Sequence, residues 1–502
     1  MPQKLSDDDY LVDYDVIVVG GGPAGSTTAT LIAQEGHRVL LLEREQFPRY
    51  QIGESLLPAT IHGICPLLGV SEEVAAAGFT TKRGGSFRWG RDPGVWTFAF
   101  SLSPQLAGPS DYAYQVERMK FDKILLDNAA RCGVTVKYRH QAVGVLRSGG
   151  RVCGVRHFDG AGVEHQTTSR WVIDASGNTS RLRDAVGGYR QMSPDFRSVA
   201  LFGYFAGGKR LAPPNSGNIL SAAFPSGWIW YIPLAKDLTS VGVVVRRDHV
   251  DRLRGDRRAA YHQMIAECPI VHSYLDGVPT ATTPPYDQLR VRKDYSYHHT
   301  ELWCPGMALV GDAGLFVDPV ISTGVHLATY GGLMAARAVN TALAGELDEV
   351  TCFDEYEARI RHEYERIYNF LLAFYETRDE QGYFREAKRV TGRQGAPVEA
   401  FVDLVGGISS RDDALPDNSG LSAEARDIDA MINHARGDGD DIVGLHHVPV
   451  VEAALGGTIA MRQLRPGNPE YGGKPMFANG LGVSADGRRW VIPAGTADTP
   501  TA

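Results

Sequence analysis

One lysine lies in a short segment whose composition favours burial. Lys82 begins the run KRGGSFRWG (residues 82–90), in which two glycines allow close backbone approach and the rings of Phe87 and Trp89 share one face. Most lysines are solvated surface residues, and that alternative stays open at this point. Burial lowers the pKa of a lysine and frees the amine for acid–base or nucleophilic chemistry. Lys82 is therefore a candidate catalytic residue.

Two tryptophans stand two positions apart in SGWIWYIPL (residues 226–234). Strand alternation places Trp228, Trp230 and Ile232 on one face, and Pro233 is expected to end the strand. Such a stripe is most often core packing. In a functional cavity it would instead form a rigid aromatic wall, which makes both tryptophans candidate site residues.

A third segment could bind an anion. The run FVDPVISTGVHLA (residues 316–328) carries polar residues and a glycine just before an expected helix. Backbone N–H groups at such a turn can bind an anion, which makes Ser322, Thr323 and Gly324 candidates. The same loop could equally hold the edge of a cofactor.

The N-terminal segment YDVIVVGGGPAGSTTATLIAQEGHRVLLLER (residues 14–44) predicts a strand, a tight turn, a helix and a second strand. Its glycines form GxGxxG, which permits the sharp turn, close approach of a pyrophosphate, and packing of helix on strand. Glu43 ends the second strand, where a carboxylate can accept hydrogen bonds from ribose hydroxyls. The candidate dinucleotide-binding residues are Gly20, Gly22, Pro23, Ala24, Gly25, Glu43 and Arg44.

Three further segments, in the expected chain order, point to FAD. The runs GMALVGDAG (306–314), VIDASGNTSRLR (172–183) and YQVERMKFDKILLDNA (114–129) resemble motifs of para-hydroxybenzoate-hydroxylase-like FAD proteins. The resemblance implies that Asp312 binds the ribityl chain and that Arg118 lies at the flavin. The middle run departs from the family pattern, because Ser176-Gly177 replaces its Asp-Gly pair.

Within that superfamily, the three segments described first resemble the signatures of FADH2-dependent halogenases. The runs match KxGxxFxWG, WxWxIP and FxxPxxSxG, and the first is similar to the phenol/pyrrole-type branch. The resemblance implies that reduced FAD and oxygen oxidise chloride held at the Ser322 loop, and that Lys82 passes electrophilic halogen to an electron-rich, phenolic ring. Trp228 and Trp230 would then separate that ring from the flavin.

The run IGESLLP contains a Gly-Glu pair that matches one near the flavin in this family. The resemblance implies that Glu54 helps with proton transfer. The alternative is an ordinary carboxylate at a helix N-terminus.

The FAD fold alone does not determine the reaction. An aromatic hydroxylase or monooxygenase, a prenyl-lipid reductase and a non-catalytic FAD-binding regulator remain alternatives. The resemblance implies a separate NAD(P)H-dependent flavin reductase as partner. It also implies an aromatic substrate from natural-product biosynthesis, either free or tethered to a carrier protein.

Net charge and composition disfavour several classes of partner and location. A net charge of −8 over 502 residues disfavours nucleic acid and anionic membranes as partners. An acidic start unlike a signal peptide, no membrane-length apolar run and six scattered cysteines favour the cytoplasm. The paired histidines His298-His299 and His446-His447 lack metal-ligand spacing, so no metal is expected.

These elements imply an α/β protein in which an inserted, mostly antiparallel sheet interrupts a Rossmann-like FAD domain. We expect the FAD-binding domain at 12–80, 110–185 and 295–345, the substrate domain at 81–109 and 186–294, and a helical C-terminal extension at 346–502. Apolar spacing predicts a helix over 353–376, and Asp486-Gly487 predicts a hairpin turn. The extension either caps the substrate chamber or serves stability or oligomer contacts.

Overall fold

The computed structural model describes residues 12–89, 94–293, 295–376, 380–392, 396–410, 412, 414–416 and 480–493. Gly90 and His446-His447 lie outside the described residues. Along the described ranges, no helix is both long and apolar enough to cross a membrane.

The described elements follow one another along the chain as strands and helices of ordinary length. The strands are β1 (Tyr14–Val19), β2 (Val39–Glu43), β3 (Thr80–Lys82), β4 (Gly84–Arg88), β5 (Trp96–Ala99), β6 (Ala113–Gln115), β7 (Thr135–Tyr138), β8 (Gln141–Ser148), β9 (Arg151–Phe158), β10 (Glu164–Asp174), β11 (Arg190–Met192), β12 (Ser198–Phe205), β13 (Ile219–Phe224), β14 (Gly227–Ala235), β15 (Leu238–Arg246), β16 (Arg290–Lys293), β17 (Tyr297–His299), β18 (Trp303–Cys304), β19 (Met307–Leu309), β20 (Leu315–Phe316), β21 (Gly482–Val483) and β22 (Trp490–Val491). The α-helices are α1 (Pro23–Ala33), α2 (Cys65–Leu68), α3 (Ser71–Ala76), α4 (Arg118–Arg131), α5 (Arg257–Ala266), α6 (Pro269–Tyr274), α7 (Gly324–Ala344), α8 (Glu349–Glu376), α9 (Glu380–Thr391) and α10 (Pro397–Val405).

The first sheet has the order β18-β19-β10-β1-β2-β7 and is parallel from β19 to β7. Its central strand carries Val16, Ile17 and Val18, all fully buried, because both faces of a parallel sheet are covered. Helix α1 packs against α7 and α4 beside this sheet. The predicted α/β class is confirmed.

The second sheet has the order β16-β12-β15-β14-β13-β4-β5 and is antiparallel except where β13 meets β4. In β14, Trp228, Trp230 and Ile232 face one core, and Ile229 and Tyr231 face another, as alternation predicts.

The prediction that Pro233 ends this strand is wrong. Strand β14 continues to Ala235, with a register irregularity between Pro233 and Ala235. The ladder with β13 stops at Leu220 opposite Tyr231. Proline is tolerated at such an irregularity beyond a neighbour's end, because fewer ladder bonds need its missing N–H.

Predicted domain borders meet the sheets at several points. Strands β4 and β5, from the predicted 81–109 piece, pair within the second sheet. Strand β3 pairs with β6 and straddles the predicted border at residue 80. The division into domains stays a prediction.

The first C-terminal helix packs on α7, and one of its rings contacts the second sheet. Helix α8 begins four residues before the predicted 353–376 segment and packs along α7. Its Phe374 contacts Phe87 of β4 with ring centroids 5.4 Å apart. The predicted hairpin at Asp486-Gly487 is confirmed, since β21 pairs with β22. The hairpin is joined to α7 by a 2.7 Å hydrogen bond from Arg337 Nε to the Gly487 carbonyl.

Candidate functional site

One elongated cavity collects most of the predicted site residues. It is lined by the GxGxxG turn, the end of β2, the segment 49–55, strand β14 and the loop before α7. The predicted residues that line it are Gly20, Gly22, Pro23, Ala24, Glu43, Arg44, Glu54, Arg118, Trp228, Trp230, Asp312, Ser322 and Gly324. Gly25, Lys82 and Thr323 lie outside its lining.

The glycines of the N-terminal turn are required by close contacts. Gly20 has a φ of 103°, and a Cβ there would lie 2.5 Å from the Ala175 carbonyl oxygen. A Cβ at Gly25 would lie 1.9 Å from the Gly20 carbonyl oxygen. Gly22 is the N-cap of α1 and Pro23 its first residue, with no side-chain cap. The first-turn N–H groups therefore remain available to an anionic group.

The acid at the end of β2 is held in place by backbone donors. Glu43 Oε2 accepts a 2.7 Å hydrogen bond from the N–H of Gly21, and Oε1 accepts one of 2.8 Å from Glu45. Each oxygen keeps a second lone pair for another donor. The free helix N-terminus, the close backbone turn and this oriented carboxylate fit the pyrophosphate and ribose of FAD.

Arg118 lines the cavity and also makes hydrogen bonds within the protein. Its guanidinium is buried and bonds Asp122 through Nε at 2.7 Å and Nη2 at 2.9 Å. Its Nη1 donates to the Ile52 carbonyl at 2.8 Å, which anchors the segment leading to Glu54. At Asp312, burial raises the pKa to about 6, although the charge of Arg292 opposes the rise.

Lys82 is buried, so the surface-lysine alternative is wrong. Only 2% of the residue is exposed. Its Nζ donates to Ser55 Oγ at 2.9 Å and to the Leu56 carbonyl at 3.0 Å. Burial lowers the pKa of Lys82 to about 7. The amine is thus hydrogen bonded to a residue of the cavity lining, because Ser55 is part of that lining.

The two tryptophans of β14 form one wall of the cavity. The ring centroids of Trp228 and Trp230 lie 6.0 Å apart, and Trp89 lies 6.2 Å from Trp228. Trp230 is fixed from behind, because its Nε1 donates to Ser240 Oγ at 3.2 Å. A Cβ at Gly242 would lie 2.1 Å from the Trp230 ring, so this glycine makes room for the indole.

The loop before α7 has the backbone that an anion site needs. Ser322 adopts a left-handed conformation with a φ of 65°. Thr323 is the buried N-cap of α7, and no side chain caps this helix end. Gly324 opens the helix, where a Cβ would lie 2.8 Å from the Phe316 ring. The uncapped N–H groups of the first turn suit a small anion such as chloride.

Glu54 does not stand at a helix N-terminus, so that alternative is wrong. The next helical segment begins at Ala59, and Glu54 is buried in the protein interior. Its Oε1 accepts a 2.7 Å hydrogen bond from the Tyr204 hydroxyl. Burial raises the pKa of Glu54 to about 7.

Several cavity residues were not identified from the sequence. Ser55 immediately follows Glu54 in the Gly-Glu run, which was the one available signal for it. Tyr50 and Arg292 line the cavity as well, and no motif marks them. Arg292 belongs to β16 of the second sheet and Tyr50 to the segment before Gly53, and only the fold brings both into the lining of the same cavity.

Within the described ranges, no group of three or more histidine, cysteine, aspartate or glutamate side chains is placed to hold a metal ion. The two described histidines of the first pair have protein contacts. His298 packs on the ring of Tyr364 at 5.7 Å, and His299 Nδ1 lies 2.7 Å from the Glu301 carbonyl oxygen.

Comparison with known proteins finds similarity to halogenases. A family model described as tryptophan halogenase matches residues 15–108 and 102–419. A tryptophan 2-halogenase of Chondromyces crocatus is 34% identical over 80% of this chain and 76% of its own length. A flavin-dependent halogenase of Armillaria mellea is 31% identical over 72% of this chain and 74% of its own. The myxobacterial chondrochloren halogenase, an FAD-dependent halogenase, superposes with a TM-score of 0.73 at 44% identity, covering 95% of this chain and 99% of that one.

Proposed function

Because this chain belongs to the tryptophan-halogenase family of flavin-dependent halogenases, we propose that its acceptor is an electron-rich, phenolic ring and its halide is chloride. The enzyme uses FAD, which supplies the two electrons that activate oxygen when it is bound in reduced form. The observation that carries the proposal is the buried Lys82, bonded to Ser55 of the cavity lining and following the pattern of the phenol/pyrrole-type branch.

We assign each cavity residue a role according to its position. The GxGxxG turn and Glu43 would hold the pyrophosphate and ribose, and Asp312 the ribityl chain. Chloride would lie at the Ser322 loop, next to the uncapped start of α7. Trp228 and Trp230 would form the wall that keeps the aromatic ring from the flavin.

Lys82 would receive the oxidised halogen and direct it to the ring. A pKa lowered by burial to about 7 leaves part of the amine neutral near neutral pH, so it can hydrogen bond as acceptor or react as nucleophile. Ser55 fixes Nζ in place with a 2.9 Å bond, which lowers the freedom that the lysine stem would otherwise have.

The proposal includes two partners. Flavin-dependent halogenases in general need a separate flavin reductase, and for this chain we propose one that depends on NAD(P)H. The aromatic substrate would come from natural-product biosynthesis, either as a free molecule or on a carrier protein.

The test is a direct assay of the acceptor. Purified enzyme receives reduced FAD, oxygen, chloride and one acceptor at a time: phenols, pyrroles, free tryptophan, and a phenol tethered to a carrier protein. Mass spectrometry detects the chlorine isotope pattern. Chlorination of phenols supports the proposal, and exclusive chlorination of tryptophan or pyrroles would refute the phenolic acceptor while leaving the halogenase family intact.

A second assay separates the alternative reactions. Hydroxylated product without chloride dependence would indicate an aromatic hydroxylase. The same assay with NADPH and no reductase tests the partner: flavin reduction by the isolated chain would exclude the need for a separate reductase.

A further inference from the structure

A chain of hydroxyl groups reaches the buried carboxyl of Glu54. The Tyr204 hydroxyl donates to Glu54 Oε1 at 2.7 Å, and the Tyr50 and Tyr204 hydroxyl oxygens are also 2.7 Å apart. A phenol hydroxyl carries one proton, and that of Tyr204 goes to the carboxylate. Tyr204 must therefore accept its other bond from Tyr50, so the donors run in one direction from Tyr50 to Glu54.

The two ends of this hydroxyl chain differ in their exposure to solvent. Glu54 and Tyr204 are buried, with 3% and 2% exposed. Tyr50 is only partly buried, and the Arg290 guanidinium lies 3.7 Å above its ring. Tyr50 and Glu54 both line the cavity, whereas Tyr204 connects them from within the second sheet.

The charged groups around Glu54 keep its carboxyl able to exchange protons near neutral pH. Burial raises the pKa of Glu54 to about 7, and the charge of Glu117 adds to the rise. The hydrogen bond from Tyr204 and the charge of Arg118 act in the opposite direction and limit it. A group in this range can both hold and release a proton during turnover.

The reaction needs a proton from outside. One arene C–H, one chloride, one O2, one reduced FAD and one proton give one chloroarene, one oxidised FAD and two waters. Trp228, Trp230 and Ile232 line the cavity that, under the proposed function, holds FAD and is therefore where oxygen would be reduced. A hydrogen-bonded path that ends inside this cavity meets that need.

We propose that Tyr50, Tyr204 and Glu54 form a proton relay. It delivers this proton to the oxygen atom of O2 that leaves as water when chloride is oxidised. Glu54 gives up its carboxyl proton, Tyr204 passes its hydroxyl proton to the carboxylate, and Tyr50 replaces the proton on Tyr204 and takes one from solvent. Each group returns to its starting protonation state. The relay rests on the halogenase reaction of the proposed function and not on the identity of the aromatic ring.

The test follows proton uptake without an aromatic acceptor. Chloride, O2, reduced FAD and one proton then give hypochlorous acid, oxidised FAD and water, so the relay is probed even if the proposed acceptor is wrong. Reduced holoenzyme is mixed at mildly acidic pH with oxygenated, weakly buffered chloride, and a fast pH electrode records proton uptake, since an indicator dye would itself react with hypochlorous acid. Flavin absorbance reports reoxidation on the same sample.

The informative variant is Tyr204→Phe, which keeps the ring and removes the hydroxyl. We expect proton uptake to slow at least about tenfold, with FAD affinity unchanged. Tyr50→Phe should produce the same delay. The matched control is Tyr286→Phe, because Tyr286 contacts the Tyr204 ring at 4.7 Å while its hydroxyl donates to Glu117. The control should take up protons at the wild-type rate.

A spectroscopic readout completes the experiment. The infrared band of the protonated Glu54 carboxyl, identified by its loss in Glu54→Gln, is titrated in oxidised holoenzyme. Tyr204→Phe should move its midpoint to higher pH, because the carboxylate loses a donor. Proton uptake and titration identical to wild type in both tyrosine variants would overturn the relay.

Discussion

Among single residues, burial favours the uncharged form of two side chains beside the cavity. It lowers the pKa of Lys82 and raises that of Glu54, each to about 7. Ser55, which accepts the hydrogen bond from Lys82, directly follows Glu54 in the chain. An amine and a carboxyl from distant parts of the chain can therefore both change protonation state near neutral pH, one bonded to Ser55 and the other on the neighbouring residue Glu54.

We expect Lys82→Met to lower halogenation at least about 100-fold, because the amine is lost while an apolar stem of similar length remains. FAD binding should be unchanged, since Lys82 lies outside the cavity lining. Chlorinated product is measured by mass spectrometry and FAD affinity by absorbance titration. The control is Lys236→Met, an exposed lysine in the turn between β14 and β15. Wild-type rates in Lys82→Met would contradict the assigned role.

The same variant tests the buried amine through stability. The pKa of Lys82 is about 7 in the folded chain against an ordinary value of 10.5, so unfolding takes up a proton between those values. The free energy of unfolding of wild type, relative to Lys82→Met, should therefore rise with pH from about 7 to about 10.5. Denaturant titrations over this range measure it, and a flat difference would show that Lys82 keeps an ordinary pKa.

At the scale of elements, the cavity lies where the parallel strands end. The residues after β1, β2, β10 and β19 all contribute to its lining. Ligands bind at the carboxyl ends of strands in open α/β sheets, because loops from neighbouring strands converge there. The second sheet then closes the other side through β14.

We expect Gly25→Ala to abolish FAD binding, because its Cβ would lie 1.9 Å from the Gly20 carbonyl oxygen and force α1 away from β1. Gly331→Ala in α7 is the control, since its nearest neighbours would lie at an ordinary 3.6 Å. FAD content after purification and absorbance titration compare the two. Full FAD occupancy in Gly25→Ala would show that the turn adjusts without loss.

At the scale of the whole molecule, the C-terminal helices complete an aromatic core shared with the second sheet. Tyr383 of α9 stacks on Trp96 at 5.7 Å, and Phe401 of α10 lies 5.1 Å from Phe98. The same cluster continues through Phe374 to Trp89, next to the wall of the cavity. These contacts fit both of the first two roles predicted for the extension, a cap on the substrate chamber and a stabilising module.

We expect Phe401→Ala to lower the free energy of unfolding by about 3–5 kcal/mol, because Phe401 is fully buried among aromatic rings. Tyr189→Ala is the control, since this aromatic ring is 63% exposed and its loss should cost less than about 0.5 kcal/mol. Denaturant unfolding measures both. Equal effects would show that the helices lie loosely on the sheet.

Features whose physical cause is local could be predicted from the amino-acid sequence. GxGxxG, the alternation of Trp228 and Trp230, and the apolar spacing of α8 each express a backbone or periodic requirement that neighbouring residues satisfy. Fold class, FAD binding and family could therefore be predicted from the sequence alone.

The pairing of the site groups depends on contacts between distant parts of the chain. Lys82 is held by a hydroxyl 27 positions away, and Glu54 by a tyrosine 150 positions away. Hydrogen bonds across such distances leave no periodic or spacing signal in the chain. Burial, which moves both pKa values, likewise depends on how distant parts of the chain pack together. Proximity in the fold, and not order along the chain, therefore establishes the ionisation of this site.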